Sequence, residues 1–188
     1  AVAVDCRGDL YVADANNHRI RRVSPDGSVS TLAGSRTAGF VDGPGATAQF
    51  NYPSDIVLDG SGGLLVAENS NNAIRRVSLG TTDVTTIAGL ASPGFVDGPL
   101  SIAQFNGPSG VTFDRDLGAI YVADFSNHAI RRIDLVAGEV STVAGTDTIK
   151  VIHLAGAASS VVATIPTGQM GSANGYPYDL NLLVQRWH

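Results

Sequence analysis

Leu10–Ser24 reads LYVADANNHRIRRVS, and the same phrase returns as LLVAENSNNAIRRVS at Leu64–Ser78 and as IYVADFSNHAIRRID at Ile120–Asp134. The three align without gaps at offsets of 54 and 56 residues. A fixed period of tens of residues is the signature of a repeat architecture. A polar turn and a second matching run follow each copy: VSTLAG ending at Gly34, VTTIAG ending at Gly89 and VSTVAG ending at Gly145. A short apolar run precedes each: AVAVD at Ala1–Asp5, DIVLD at Asp55–Asp59 and GVTFD at Gly110–Asp114. Every unit therefore holds four short segments.

These segments are rich in Val, Ile, Leu, Thr and Tyr and are bounded by Gly, Asn, Asp and Pro, which is the composition of strands. Arg7-Gly8-Asp9, Asp26-Gly27, Ser61-Gly62-Gly63 and Leu117-Gly118 supply the positive-φ positions that tight hairpins need. No apolar stripe with a 3.6-residue period competes. A four-stranded antiparallel meander cannot cover both of its faces alone, and radial stacking of such units solves that problem. The expected fold is all-β: a β-propeller of four-stranded antiparallel blades, with about three complete blades and a diverged fourth. Blades are placed at 1–34, 55–89 and 109–145, with long connections at 34–54 and 89–109.

The recurring string G-x-(L/I)-(Y/L)-V-A-(D/E)-x-x-N-(H/N)-x-I-R-R-(V/I), with the later V-(S/T)-T-(L/I/V)-A-G, resembles the NHL repeat. Asn17-His18 and Asn127-His128 match the first two letters of that name, Asn71-Asn72 departs at the second, and Arg19, Ala73 and Ala129 replace the Leu. The resemblance covers residues 1 to about 145. It implies a β-propeller and, most often, a noncatalytic binding platform.

If the first strand of a blade runs down from a top face, the turns between second and third strands and the connections between blades all emerge on that face. The turns carry Asn17 and His18, Asn71 and Asn72, and Asn127 and His128. The connections repeat G-F-V-D-G-P and A-Q-F-N at an offset of 55, so that Phe40, Asp42, Phe50 and Asn51 answer to Phe95, Asp97, Phe105 and Asn106. Two readings compete for Phe40, Asp42, Phe95 and Asp97: phenylalanines plugging grooves between blades with aspartates capping their own turns, or a ligand-binding rim. Recurrence within one chain favours the first, because one ligand rarely needs the same contact from every blade. Asn17, Asn71 and Asn127 read as left-handed turn formers. His18 and His128 are the candidates for a metal at the propeller axis, which would make the chain a metal-dependent lyase or hydrolase; with Asn72 in the intervening blade, three ligands are not assembled.

The pairs Arg21-Arg22, Arg75-Arg76 and Arg131-Arg132 lie on a strand, so one member of each faces a neighbouring blade. Asp14, Glu68 and Asp124, seven or eight residues upstream, are their expected partners. Cys6 reads as a buried, inert thiol at a strand end, and Asp114-x-Asp116-x-Gly118 as a hairpin turn rather than a calcium loop. No nucleophile, base and orienting acid stand together, and no cofactor is called for.

The 188 residues are 44% hydrophobic and 15% charged, enough for one sizeable core. No stretch reaches the roughly 18 to 20 apolar residues of a membrane helix. Twelve Lys and Arg against seventeen Asp and Glu give a net charge of −5, which argues against nucleic acid. The expected partner is a protein or peptide. After Gly145 the repeat fails: 146–188 reads as a diverged fourth blade, faintly similar to a YVTN-type repeat at SVVATIPTG, or as a tail. Three and a half units predict a portion of a larger propeller, or closure by self-association.

Overall fold

The computed structural model describes residues 1–145 together with the backbone of 150–153, 159–163 and 183–186. Strands β1 (Val2–Val4), β2 (Leu10–Asp14), β3 (Arg19–Val23) and β4 (Val29–Ala33) form the first blade, an antiparallel meander. Strands β5 (Pro53–Leu58), β6 (Gly63–Glu68), β7 (Ala73–Ser78) and β8 (Val84–Ala88) form the second. A short strand β9 (Gly98–Pro99) leaves the next connection. It joins the outer edge of the third blade, made of β10 (Pro108–Asp114), β11 (Ala119–Asp124), β12 (Ala129–Asp134) and β13 (Glu139–Gly145). Among the described residues no helix is long and apolar enough to cross a membrane.

The hairpins close where the glycines allow: Gly8, Gly27, Gly62 and Gly118 all have positive φ. Cys6 lies in the first of these turns, beyond the end of β1, and is exposed rather than buried. The hairpin is held instead by Asp5, whose Oδ1 accepts from the amides of Arg7 and Asp9. Asp114 Oδ1 likewise accepts from the amides of Asp116 and Leu117 and closes its turn. In the C-terminal region β14 (Lys150–His153), β15 (Ser159–Ala163) and β16 (Leu183–Arg186) pair antiparallel in that order. The remainder of that region lies outside the described residues.

Strand alternation assigns each blade two faces, and the core lies between blades. Tyr11, Ala13, Ile20 and Ala33 of the first blade meet Ile56, Leu64, Val66, Val77 and Val84 of the second, with Ala48 and Phe50 of the connection inserted. One blade further on, Leu65, Ala67, Ile74 and Ala88 meet Val111, Ile120, Val122, Ile133 and Val140, with Ala103 and Phe105 inserted. Each connection therefore contributes side chains to the core it spans. The outer strand of every blade is bulged opposite its first arginine, with register shifts at Ile20/Arg21, Ile74/Arg75 and Ile130/Arg131.

Candidate functional site

The connections and the turns between second and third strands do lie against one another, and an arginine organises each meeting point. The first connection leaves β4 at Gly34, where φ is +107 and a Cβ would sit 2.7 Å from the carbonyl oxygen of His18, so only glycine fits. It then folds on itself: Gly39 N donates to Phe50 O at 3.0 Å and Gln49 N to Val41 O at 3.1 Å. At Gly43 it exchanges two backbone hydrogen bonds with Val84 on the outer edge of the second blade, at 2.9 and 2.8 Å. Strand β9 repeats this capping on the third blade.

Arg75, on β7, is fully buried beneath this loop. Its Nε donates to Asp42 Oδ1 at 3.0 Å, and its Nη2 donates to the same oxygen and to Val41 O. Its Nη1 donates to Glu68 Oε1 at 2.5 Å and to Gln49 O at 3.3 Å. The guanidinium stacks over Phe40 at 4.9 Å and over Phe50 at 5.4 Å from the ring centroids. Arg131 repeats every element one blade later, with Asp97, Asp124, Val96 O and Gln104 O as acceptors and Phe95 and Phe105 as the stacked rings.

Contrary to the expectation from sequence, the aspartates do not cap their own turns. Asp42 reaches across to the next blade, accepting from Arg75 and from the amide and hydroxyl of Thr86; Asp97 does the same with Arg131 and Thr142. The two phenylalanines of each connection also differ: Phe50 and Phe105 are buried, while Phe40 and Phe95 keep an outer face in solvent.

Each of these arginines bonds two carboxylates, one fully buried and one half-exposed. Burial is the largest influence on Glu68 and lifts its pKa to about 7 against the pull of Arg75, and burial raises Asp124 as well. Asp97 at the half-exposed end is pushed up by burial, but the bonds from Arg131 and Thr142 outweigh this and hold it below the usual carboxylate range. A carboxyl whose pKa is higher folded than unfolded supports folding fully below its unfolded value near 4.5, and the support fades as pH rises through about 7. Glu68→Gln keeps an acceptor for Asn71 and the Asn51 amide while removing the titration. The stability of the wild type minus that of Glu68→Gln is therefore expected to decrease from pH 4.5 to pH 7.5 in urea titrations; a flat difference would contradict a Glu68 carboxyl held up by burial.

The Asn and His positions are distributed differently from their expected roles. The left-handed residue of each turn is His18, Asn72 or His128, with φ of 54, 51 and 51, and not the preceding Asn. The preceding Asn71 and Asn127 instead donate to the carbonyls of Gly39 and Gly94 and to Glu68 and Asp124, fastening the connection to the turn. Asn72 accepts from Gly107 N at 2.9 Å and donates to Ala91 O. His18 occupies the matching place, its Nδ1 accepting from Tyr52 N at 3.2 Å, which puts its proton on Nε2. Asn71 and Asn72 are buried, so neither offers a contact surface. Among the described residues no three His, Cys, Asp or Glu side chains gather as a metal would require.

The first blade departs from the expected ion-pair ladder. Asp14 accepts only from Asn17 Nδ2, and Arg21 Nε is buried with no partner among the described residues. The second arginine of each pair turns to carboxylates that sequence spacing did not single out: Arg22 to Asp9 at 2.7 Å, Arg76 to Asp59 at 2.7 Å and Arg132 to Asp134 at 2.9 Å. Asp9 and Asp59 sit at hairpin turns, brought to these arginines by strand pairing.

A family model for the NHL repeat matches residues 1–23 and 105–133, each of which contains an Asn-His turn. NHL repeat-containing protein 2 of Bos taurus is 33% identical over 142 residues, covering 70% of this chain and 20% of that protein. The chain thus spans about a fifth of that relative's length. An auxiliary nutrient binding protein of Bacteroides thetaiotaomicron superposes with a TM-score of 0.62 at 22% identity, over 75% of this chain and 36% of the other. A virginiamycin B lyase from Staphylococcus aureus superposes with a TM-score of 0.53 at 23% identity, over 79% and 41%. The last two likenesses concern fold alone, and one fold here hosts both binding and catalysis. Three meandering blades, a repeated arginine node at each junction and these relatives establish that the chain belongs to the NHL-repeat family of β-propellers.

Proposed function

We propose that the chain is a noncatalytic binding module that recognises a protein or peptide through the outer surface of its connections. The observation that supports this reading is a repeated apolar pair, Phe40-Val41 and Phe95-Val96, exposed at the same place on both connections. Each pair is fixed from below by a fully buried arginine, so it is presented rigidly and loses little entropy on contact. Apolar side chains held outward on a preorganised scaffold suit the hot spots of a protein interface. Asn17 and His128, both exposed, would lie beside the connections as polar neighbours.

A test is to select binders from a random peptide display library on the immobilised chain and to measure their affinity for a Val41→Glu/Val96→Glu double variant. Both valines keep their backbone roles in that variant, since Arg75 and Arg131 contact their carbonyls only. Affinity at least tenfold weaker supports the reading, and unchanged affinity removes it. Stoichiometric zinc or calcium in the purified protein would instead favour a metal-dependent enzyme.

A further inference from the structure

The second connection ends in Asn106-Gly107, one of two Asn-Gly pairs in the sequence; the other, Asn174-Gly175, lies outside the described residues. Asn followed by Gly is the pair that loses its side-chain amide most readily, because glycine leaves the attacking main-chain nitrogen unhindered. Here all four main-chain polar groups of the pair are engaged. Asn106 N donates to Asp124 Oδ1 at 2.7 Å, and Asn106 O accepts from Ser126 N at 3.0 Å. Gly107 N donates to Asn72 Oδ1 at 2.9 Å, and Gly107 O accepts from Asn69 Nδ2 at 3.1 Å. Gly107 and Asn72 are buried, while Asn106 is half-buried and within reach of water. The first connection ends differently. Tyr52 stands at the place of Gly107, and its N donates to His18 Nδ1 at 3.2 Å.

We propose that Asn106 is a modification site, deamidated through Gly107 when the junction of the second and third blades opens and kept intact by Asn72 while it is closed. In the reaction Gly107 N gives up its proton to water or hydroxide and attacks Asn106 Cγ. The Cγ–Nδ2 bond breaks, the nitrogen takes up a proton and leaves as ammonia, and a cyclic succinimide remains. Water then adds to one ring carbonyl and opens the ring to aspartate or isoaspartate, with no oxidant or reductant. The peptide plane that must turn toward Asn106 Cγ is pinned at both edges, at its oxygen by Ser126 and at its nitrogen by Asn72. The proton that must leave is the one Asn72 holds. Local opening of the junction releases both edges. Either product adds a carboxylate beside the buried Asp124, and isoaspartate also lengthens the main chain, so a transient opening becomes a lasting change.

The test ages the full chain at mildly alkaline pH, folded or in guanidinium chloride, and follows aspartate and isoaspartate at residues 106 and 174 by peptide mapping and mass spectrometry. In the wild type, residue 106 is expected to convert at least tenfold more slowly folded than unfolded. Equal rates overturn the proposal without any variant. Asn72→Gly tolerates the turn's positive φ of 51 and removes the acceptor, so the folded rate at residue 106 should rise at least tenfold. Asn72→His supplies the Nδ1 acceptor that His18 gives to Tyr52 N, and should keep the wild-type rate. Conversion of Asn72→Gly as slow as wild type, or of Asn72→His as fast as Asn72→Gly, overturns the role of Asn72. An equal rise at residue 174 also overturns it, since the whole chain would then be unfolding.

Discussion

Replacing Arg75 with Ala is expected to destabilise the chain by about 3 to 5 kcal/mol, a large part of the 5 to 15 kcal/mol typical of a folded domain. The loss has three sources in the structure. Glu68 is left buried without its cation, the carbonyls of Val41 and Gln49 lose a donor, and the rings of Phe40 and Phe50 face a void. Arg131→Ala should cost a similar amount, because Asp97, Asp124, Phe95 and Phe105 reproduce the same surroundings. Arg21→Ala is the internal control: the residue type and register are the same, but among the described residues it engages no carboxylate or ring, and a cost below about 1 kcal/mol is expected. Urea unfolding followed by far-UV circular dichroism separates the cases. The cost of Arg75→Ala should also be smaller at pH 5 than at pH 7.5, since burial already holds Glu68 protonated at pH 5 with the cation in place, and removing Arg75 then strands no buried charge. Equal costs for Arg21→Ala and Arg75→Ala would show that the arginines act through their strands and not through the loops.

The blades were legible in the sequence because their determinants are local. LYVAD and RIRRV each carry a strand's alternation, and Gly8, Gly62 and Gly118 mark the hairpins that lead into the second strand of each blade. The repeat also revealed that G-F-V-D-G-P and A-Q-F-N matter, since they recur. Their partners were not legible. Asp42 meets Arg75 and Thr86 at separations of 33 and 44 residues, and nothing in a linear pattern distinguishes that from an aspartate capping its own turn. The turns show the reverse problem: Asn17, Asn71 and Asn127 have the residue type suited to left-handed backbone, yet the next residue adopts it. The three-residue turn places the Asn amide, in the second and third blades, over a buried carboxylate. Asp14 shows a further limit. Spacing pairs it with Arg21 as in the other blades, but the ion pairs at Arg75 and Arg131 are completed by a connection arriving from the preceding blade, and the first blade has none among the described residues.

Phe105→Ala is expected to cost about 3 to 5 kcal/mol, whereas Phe95→Ala, ten residues earlier in the same connection, should cost about 1 kcal/mol. Both rings stack on Arg131, at 5.2 and 4.8 Å, so cation–π attraction does not distinguish them. Burial does. Phe105 is 0% exposed and lies in the core shared by the second and third blades with Leu65, Ile74, Val122 and Ile133, so its removal opens a cavity at their junction. Phe95 is 55% exposed and loses mainly its contact with the guanidinium. The same motif thus performs two tasks, one phenylalanine joining blades and the other facing outward. If function uses the outward ring, Phe95→Ala should weaken binding of a selected peptide while leaving the urea midpoint nearly unchanged. Phe105→Ala should lower the midpoint, with any loss of binding following the fraction unfolded. A Phe95→Ala variant as unstable as Phe105→Ala would place both rings in the core and remove the basis for a presented surface.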